Sequence, residues 1–132
     1  MFDHIGFFVN DISRSAAFYE ACLAPLGLRI AQRQPHINAV IISGESEYPF
    51  IWMGETPPDG DYHGAPVSKD ATRPIHLAFK AASKEAVEAF YQAGLAHGGK
   101  CNGEPEDDGY HYYAAYLIDP DGNNIEAGIH LS

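Results

Sequence analysis

Between His4 and Val9 the apolar positions alternate, with Ile5, Phe7 and Val9 on one side of an extended chain and His4, Gly6 and Phe8 on the other. That period of two reads as a short strand. From Ile12 the spacing changes to steps of four and three. Ile12, Ala16, Tyr19, Leu23 and Leu26 form the stripe of an amphipathic helix, opened by Asn10 or Asp11 as N-cap and closed at Pro25 and Gly27. Strand-like stretches follow at 28–33, 37–43 and 48–53, with a turn-prone Gly44-Glu45-Ser46 between the last two. Residues 55–74 hold Pro57, Pro58, Gly60, Gly64, Pro66 and Pro74 and read as a linker long enough to fold over a pocket. The opening pattern then returns. A strand at 75–80 precedes a helix capped by Ser83, which carries Val87, Phe90, Tyr91 and Leu95 and stops at Gly98-Gly99. Further strands are expected near 100–102, 111–118 and 124–130, the last two joined by Asp119-Pro120-Asp121-Gly122-Asn123.

The return is a repeat. His4-Ile5-Gly6-Phe7 matches His76-Leu77-Ala78-Phe79 at an offset of 72 residues, and Ala17-Phe18-Tyr19 matches Ala89-Phe90-Tyr91 at the same offset without a gap. Two similar units that each read strand, helix and three strands place their histidines in equivalent positions. The expected fold is α+β, two βαβββ modules forming a cupped mixed sheet with helices on the outer face. The chain is expected to be a single domain over 1–132, with module 1 at 1–54, the linker at 55–74 and module 2 at 75–132.

Strand parity assigns the chemistry to one face. Leu77 and Phe79 take the helix side of their strand, as do Ile125, Ala127, Ile129 and Leu131 of the last strand, which leaves His76 and Glu126 with His4 on the side that no helix covers. Two imidazoles and one carboxylate converging there would make a metal site with open positions. The alternative for any single histidine is an ordinary strand residue with no ligand role.

Composition narrows the partners. At 132 residues and 45% hydrophobic content the chain has enough apolar sequence for one packed core. Eight basic against 18 acidic residues give a formal charge of −10, which repels phosphate backbones and anionic lipid, so neither nucleic acid nor membrane is expected as a partner. Cys22, in the first helix, and Cys101 stand in no metal-finger spacing and are expected as reduced thiols. No leader-like segment and no 18-residue apolar run is visible, and a cytoplasmic location is expected.

The residues His4-Ile5-Gly6-Phe7-Phe8-Val9, the helix with Ala17-Phe18-Tyr19 ending Pro25-Leu26-Gly27-Leu28, His76-Leu77-Ala78-Phe79, and the closing Asp119-Pro120-Asp121-Gly122-Asn123-Asn124-Ile125-Glu126 together resemble the glyoxalase/bleomycin resistance/dioxygenase group, the vicinal oxygen chelate superfamily. The resemblance implies one divalent metal ion (iron, zinc, nickel or manganese) held by residues matching His4, His76 and Glu126. Members commonly add a fourth ligand from the first module. By parity Trp52 takes that place here and faces the cup with Phe50; Glu55 has the wrong parity unless a bulge intervenes, and water is the other candidate. Glyoxalase I-like enzymes use carboxylates from both modules. Two histidines and one carboxylate instead match the facial triad of non-haem iron(II) oxygenases. In the ring-cleaving dioxygenases of this superfamily a tyrosine lies ten residues ahead of the ligand glutamate, as Tyr116 lies ahead of Glu126, and an acid/base histidine is also used, for which His111 is nearby but not at the family's spacing.

Tyr116 and His111 are thus the candidate catalytic residues, with Phe50, Trp52 and Tyr112 as candidate substrate-binding residues. Tyr116 reads equally as packing, and His111, Tyr112 and Tyr113 as an aromatic strand lining an apolar pocket for a planar ligand. His36, His63, His97 and His130 read as surface or loop residues, with His63 able to swing over the cup from the linker. The leading expectation is a metal-dependent dioxygenase-like or lyase/isomerase-like enzyme acting on a small oxygen-chelating molecule. A metal-independent antibiotic-binding protein is the alternative, and a thiol transferase acting on fosfomycin ranks lower for want of cationic groups. A homodimer, in some relatives built by exchanging modules, is expected.

Overall fold

The computed structural model describes residues 1–58 and 74–132. The linker expected over 55–74, and with it His63, falls largely outside the described residues. Module 1 runs β1 (His4–Val9), α1 (Ile12–Leu23), β2 (Arg29–Gln34), β3 (Ala39–Ser43) and β4 (Phe50–Glu55). Module 2 runs β5 (His76–Lys80), α2 (Lys84–Ala96), β6 (Lys100–Asp107), β7 (Tyr112–Ile118) and β8 (Asn124–His130). The α+β class and the doubled βαβββ order are as the pattern predicts. The strands form two four-stranded mixed sheets, ordered β1-β4-β3-β2 and β5-β8-β7-β6, so each module contributes one sheet with its first strand at an edge.

Local chemistry fixes the helix starts. Asp11, extended at φ −143°, accepts from the Arg14 backbone N–H, and Ser83 accepts from that of Ala86 at 3.1 Å. After α1 a single 3-10 turn over Ala24–Leu26 ends at Gly27, whose φ of +82° is the left-handed conformation that stops a helix. The strand ends differ from expectation mainly at β6. Its run Glu104-Pro105-Glu106-Asp107 is too polar to look like a strand, but β6 is an edge, where a proline and exposed charges are tolerated, and its register against β7 shifts twice.

One core serves both modules. Phe18, Tyr19, Cys22 and Leu23 of α1 join Val87 and Phe90 of α2 and Val9, Met53, Leu117 and Ile125 of the strands. The repeat therefore marks packing positions, since Phe18 and Phe90 are both fully buried. α2 lies so close on β7 that a Cβ at Gly94 would overlap Leu117.

A polar lock ties the modules across this core. The Asp119 carboxylate, 3% exposed, accepts from the backbone N–H groups of Asp121 and Asn123, both at 2.8 Å, from the Asn123 amide at 3.1 Å, and from the Tyr19 hydroxyl of α1 at 2.5 Å. Asp121 receives the Asn10 backbone N–H and the Ser15 hydroxyl, each at 3.0 Å. The sequence Asp119-Pro120-Asp121-Gly122-Asn123 is thus a turn and also the joint between the halves. A buried carboxylate is stable only with such a full set of donors. The faces bearing His4 and His76 lie on the far side of their sheets from the shared core.

Candidate metal centre

Register confirms the parity assignments. β5 pairs with β8 so that His76 faces Asn124 and Ala78 faces Glu126, while β1 pairs with β4 so that His4 faces Phe50 and Gly6 faces Trp52. Gly6 and Ala78 are equivalent in the repeat, so Trp52 occupies in module 1 the place that Glu126 occupies in module 2. Glu55 faces Val9 on the core side and accepts the Ile12 backbone N–H with Oε1 at 3.2 Å, at the start of α1. It serves the helix terminus, where a carboxylate also complements the helix dipole. No bulge turns it outward.

On the face of the second sheet away from the shared core, Glu126 Oε2 lies 3.0 Å from His76 Nε2 and Oε1 accepts the Tyr112 hydroxyl at 2.7 Å. Tyr116 stands directly across from Glu126 in the β7–β8 ladder. Glu126 is only 8% exposed. Burial and the Glu126 carboxylate, in that order, push the Tyr112 and Tyr116 hydroxyls above the ordinary phenol range, so both remain protonated donors through neutral pH. Asp108 and Glu106 add to the negative potential around Tyr116.

On the first sheet, His4 stacks on Phe50 with ring centroids 4.6 Å apart and planes 2° apart. Its Nδ1 meets Asp3 Oδ1 at 2.6 Å, which leaves Nε2 as the nitrogen free of that carboxylate. Trp52 packs edge-on against Phe8 and donates its indole N–H to Gln34 at 3.1 Å. His111, the other catalytic candidate, lies one residue before β7, exposed, with φ at +64°, and its backbone carbonyl accepts from Leu131. His130 touches the Tyr112 ring with centroids 4.7 Å apart, and His97 closes α2 through its Ala93 hydrogen bond.

The structure thus brings together His76, Glu126, Tyr112 and Tyr116 in one sheet, and His4, Phe50 and Trp52 in the other. His4 does not join the pair within one chain: among the described residues no three His, Cys, Asp or Glu side chains are grouped to hold an ion. The pair is hydrogen-bonded at 3.0 Å, and its imidazole nitrogen and carboxylate oxygen are donors that a divalent ion would take in place of that bond. Asp3 and Gln34, which hold His4 and Trp52, were not singled out by sequence reasoning. The only sequence signal for Asp3 is a carboxylate beside a candidate ligand, and Gln34 carries none.

A sequence model of the Glyoxalase/Bleomycin resistance protein/Dioxygenase superfamily matches residues 1–127. Among solved structures, a glyoxalase/bleomycin resistance protein from Albidiferax ferrireducens T118 is 32% identical, with 98% of each chain covered and a TM-score of 0.75. A glyoxalase/bleomycin resistance protein/dioxygenase family enzyme from Burkholderia phytofirmans PsJN is 23% identical over 98% of each chain, at a TM-score of 0.77. The lactoylglutathione lyase from Agrobacterium tumefaciens shares the fold at 19% identity, with 98% of this chain and 92% of that one covered and a TM-score of 0.66. No curated protein matches the sequence. The chain belongs to the glyoxalase/bleomycin resistance/dioxygenase superfamily.

Proposed function

We propose that the protein is a divalent-metal-dependent enzyme of the vicinal oxygen chelate type, acting on a small oxygen-chelating substrate as a homodimer. The single observation that carries this reading is the buried Glu126 carboxylate set 3.0 Å from His76 Nε2 on the sheet face opposite the shared core. His76 and Glu126 of one copy and His4 of a second copy would hold the ion, because His4 does not reach the other two within its own chain. Two features support a second copy. β1 and β5 are edge strands of their sheets, and Phe2, Ile5 and Tyr48 around β1 and β4 are 62%, 36% and 53% exposed.

The bound ion would act as a Lewis acid towards two substrate oxygens. The chain's own groups then have defined work. Phe50, Trp52 and Phe8 offer apolar ring surface to a planar substrate and exclude water. Tyr116 and Tyr112 keep protonated hydroxyls beside Glu126, and Tyr116 can donate to an oxygen on which charge develops. Trp52 at the position equivalent to Glu126 leaves one ligand carboxylate per site, which disfavours proton shuttling between two ligand carboxylates and favours the dioxygenase-like reading over a lyase or isomerase.

Reconstitution with iron, zinc, nickel and manganese in turn, followed by metal analysis, is expected to give about one ion per chain, lost in His4→Ala, His76→Ala and Glu126→Ala. The iron form is expected to consume oxygen with a catechol. Protein that retains none of the four metals contradicts the reading. A second reading, a binding protein for a cationic compound, draws on the acidic groups around Tyr116 and the net charge of −10. Tight, metal-independent ligand binding by the triple alanine variant would favour it.

A further inference from the structure

We propose that Tyr112 is a positioning residue that sets the orientation of the Glu126 carboxylate, and that Gly128 is glycine so that it can do so. The inference rests on the metal reading above and concerns how that site is built.

The β7–β8 register puts Tyr112 opposite His130, Ala114 opposite Gly128 and Tyr116 opposite Glu126. Glu126 is therefore four residues along β8 from the partner of Tyr112, a distance of about 14 Å measured along the strand. A tyrosine hydroxyl bridges part of that span only if its ring lies along the sheet surface instead of standing upright from it, and the carboxylate covers the rest. Glu126, Gly128 and His130 share one face, so the ring must cross residue 128. A Cβ there would overlap the Tyr112 hydroxyl and Cζ and would come within 2.7 Å of Cε1. Any side chain at 128 would lift the ring and break the 2.7 Å bond to Glu126 Oε1. His130 backs the same ring from its other end, with centroids 4.7 Å apart.

The consequence is a division of labour between the two oxygens of Glu126. Oε1 is committed to Tyr112, and Oε2 is the one turned to His76. A carboxylate pinned in this way offers one oxygen to an ion in a fixed direction. Partners that hold a ligand in place are worth roughly 10- to 100-fold in metal affinity when removed.

The test uses the whole chain with cobalt(II) and zinc as probes: Tyr112→Phe, Gly128→Ala and the double variant, each checked for folding by thermal melting. Tyr112→Phe deletes only the hydroxyl, and Gly128→Ala keeps every donor but displaces the ring. Both are expected to weaken metal affinity by about tenfold or more and to change the cobalt(II) absorption bands in the same way. The double variant is expected to be no weaker than either single one, because both substitutions break the same bond. Single variants that bind as wild type does, or a double loss equal to the product of the single losses, would overturn the inference. Wild-type protein that binds neither probe would instead overturn the metal reading, and the inference with it.

Discussion

Tyr19→Phe removes a single oxygen and tests how the two halves are joined. The hydroxyl reaches across from α1 to Asp119, whose carboxylate is 3% exposed and cannot turn to bulk water for a replacement. A hydrogen bond to a buried charged acceptor contributes about 1.5–3 kcal/mol. Asp119 keeps three other donors, from Asp121 and Asn123, so the loss should fall near the middle, at about 2 kcal/mol. At about 2.1 cal/mol/K per residue, 132 residues give an unfolding entropy near 0.28 kcal/mol/K, and 2 kcal/mol lowers Tm by about 7 °C. The assay is thermal and urea unfolding at one fixed protein concentration. Tyr113→Phe is the control, since that hydroxyl bonds Glu88 at the surface and its loss should leave Tm close to the wild-type value. A Tyr19→Phe protein that melts with the wild type would refute the claim that this carboxylate is buried and locked to α1.

Two further outcomes follow from the thiols. Cys22 is fully buried and its thiol is pushed up to about 12 by burial, while Cys101 is exposed, so an aromatic disulfide reagent at pH 8 should modify one thiol in native protein and two in denaturant; two fast thiols in the native state would contradict this packing. The same shift makes stability pH-dependent. Below about pH 9 both states hold the proton, and between about 9 and 12 the unfolded chain releases it while the folded one does not, so stability falls by up to about 1.4 kcal/mol per pH unit. The raised Tyr19 hydroxyl adds to the loss above about pH 10. Urea midpoints from pH 8 to 11 should decline less steeply in Cys22→Ala, and equal slopes would contradict the assignment.

The sequence showed the architecture because the repeat duplicates packing positions. Phe18 and Phe90 recur at the offset of the histidines, and both end in the core. Parity was equally readable: a period of two assigned Trp52 to the place of Glu126 and left Glu55 facing outward only if a bulge intervened, and the register has Trp52 in that place and no bulge at Glu55. What a repeat does not encode is how its two copies meet. Each module's pattern is satisfied by any arrangement that buries its helix side, so nothing in it places His4 relative to His76. The joint itself is made by Tyr19, Asp119 and Asp121, groups whose partners lie 100 or more residues away. The aromatic residues after His111 extend the strand pattern back to it, but its positive φ makes it the turn before β7. Gly128 had a purpose invisible without its neighbour across the ladder.

Mixing two disabled chains shows whether the metal site is shared between copies. His4→Ala and Glu126→Ala proteins should each bind no metal at the site. If one copy contributes His4 and another contributes His76 and Glu126, a mixed dimer regains one intact site out of two. Co-refolding equal amounts makes about half of the dimers mixed and restores about a quarter of the wild-type metal content. Metal content that stays at the level of the separate variants after mixing would contradict a site shared between copies.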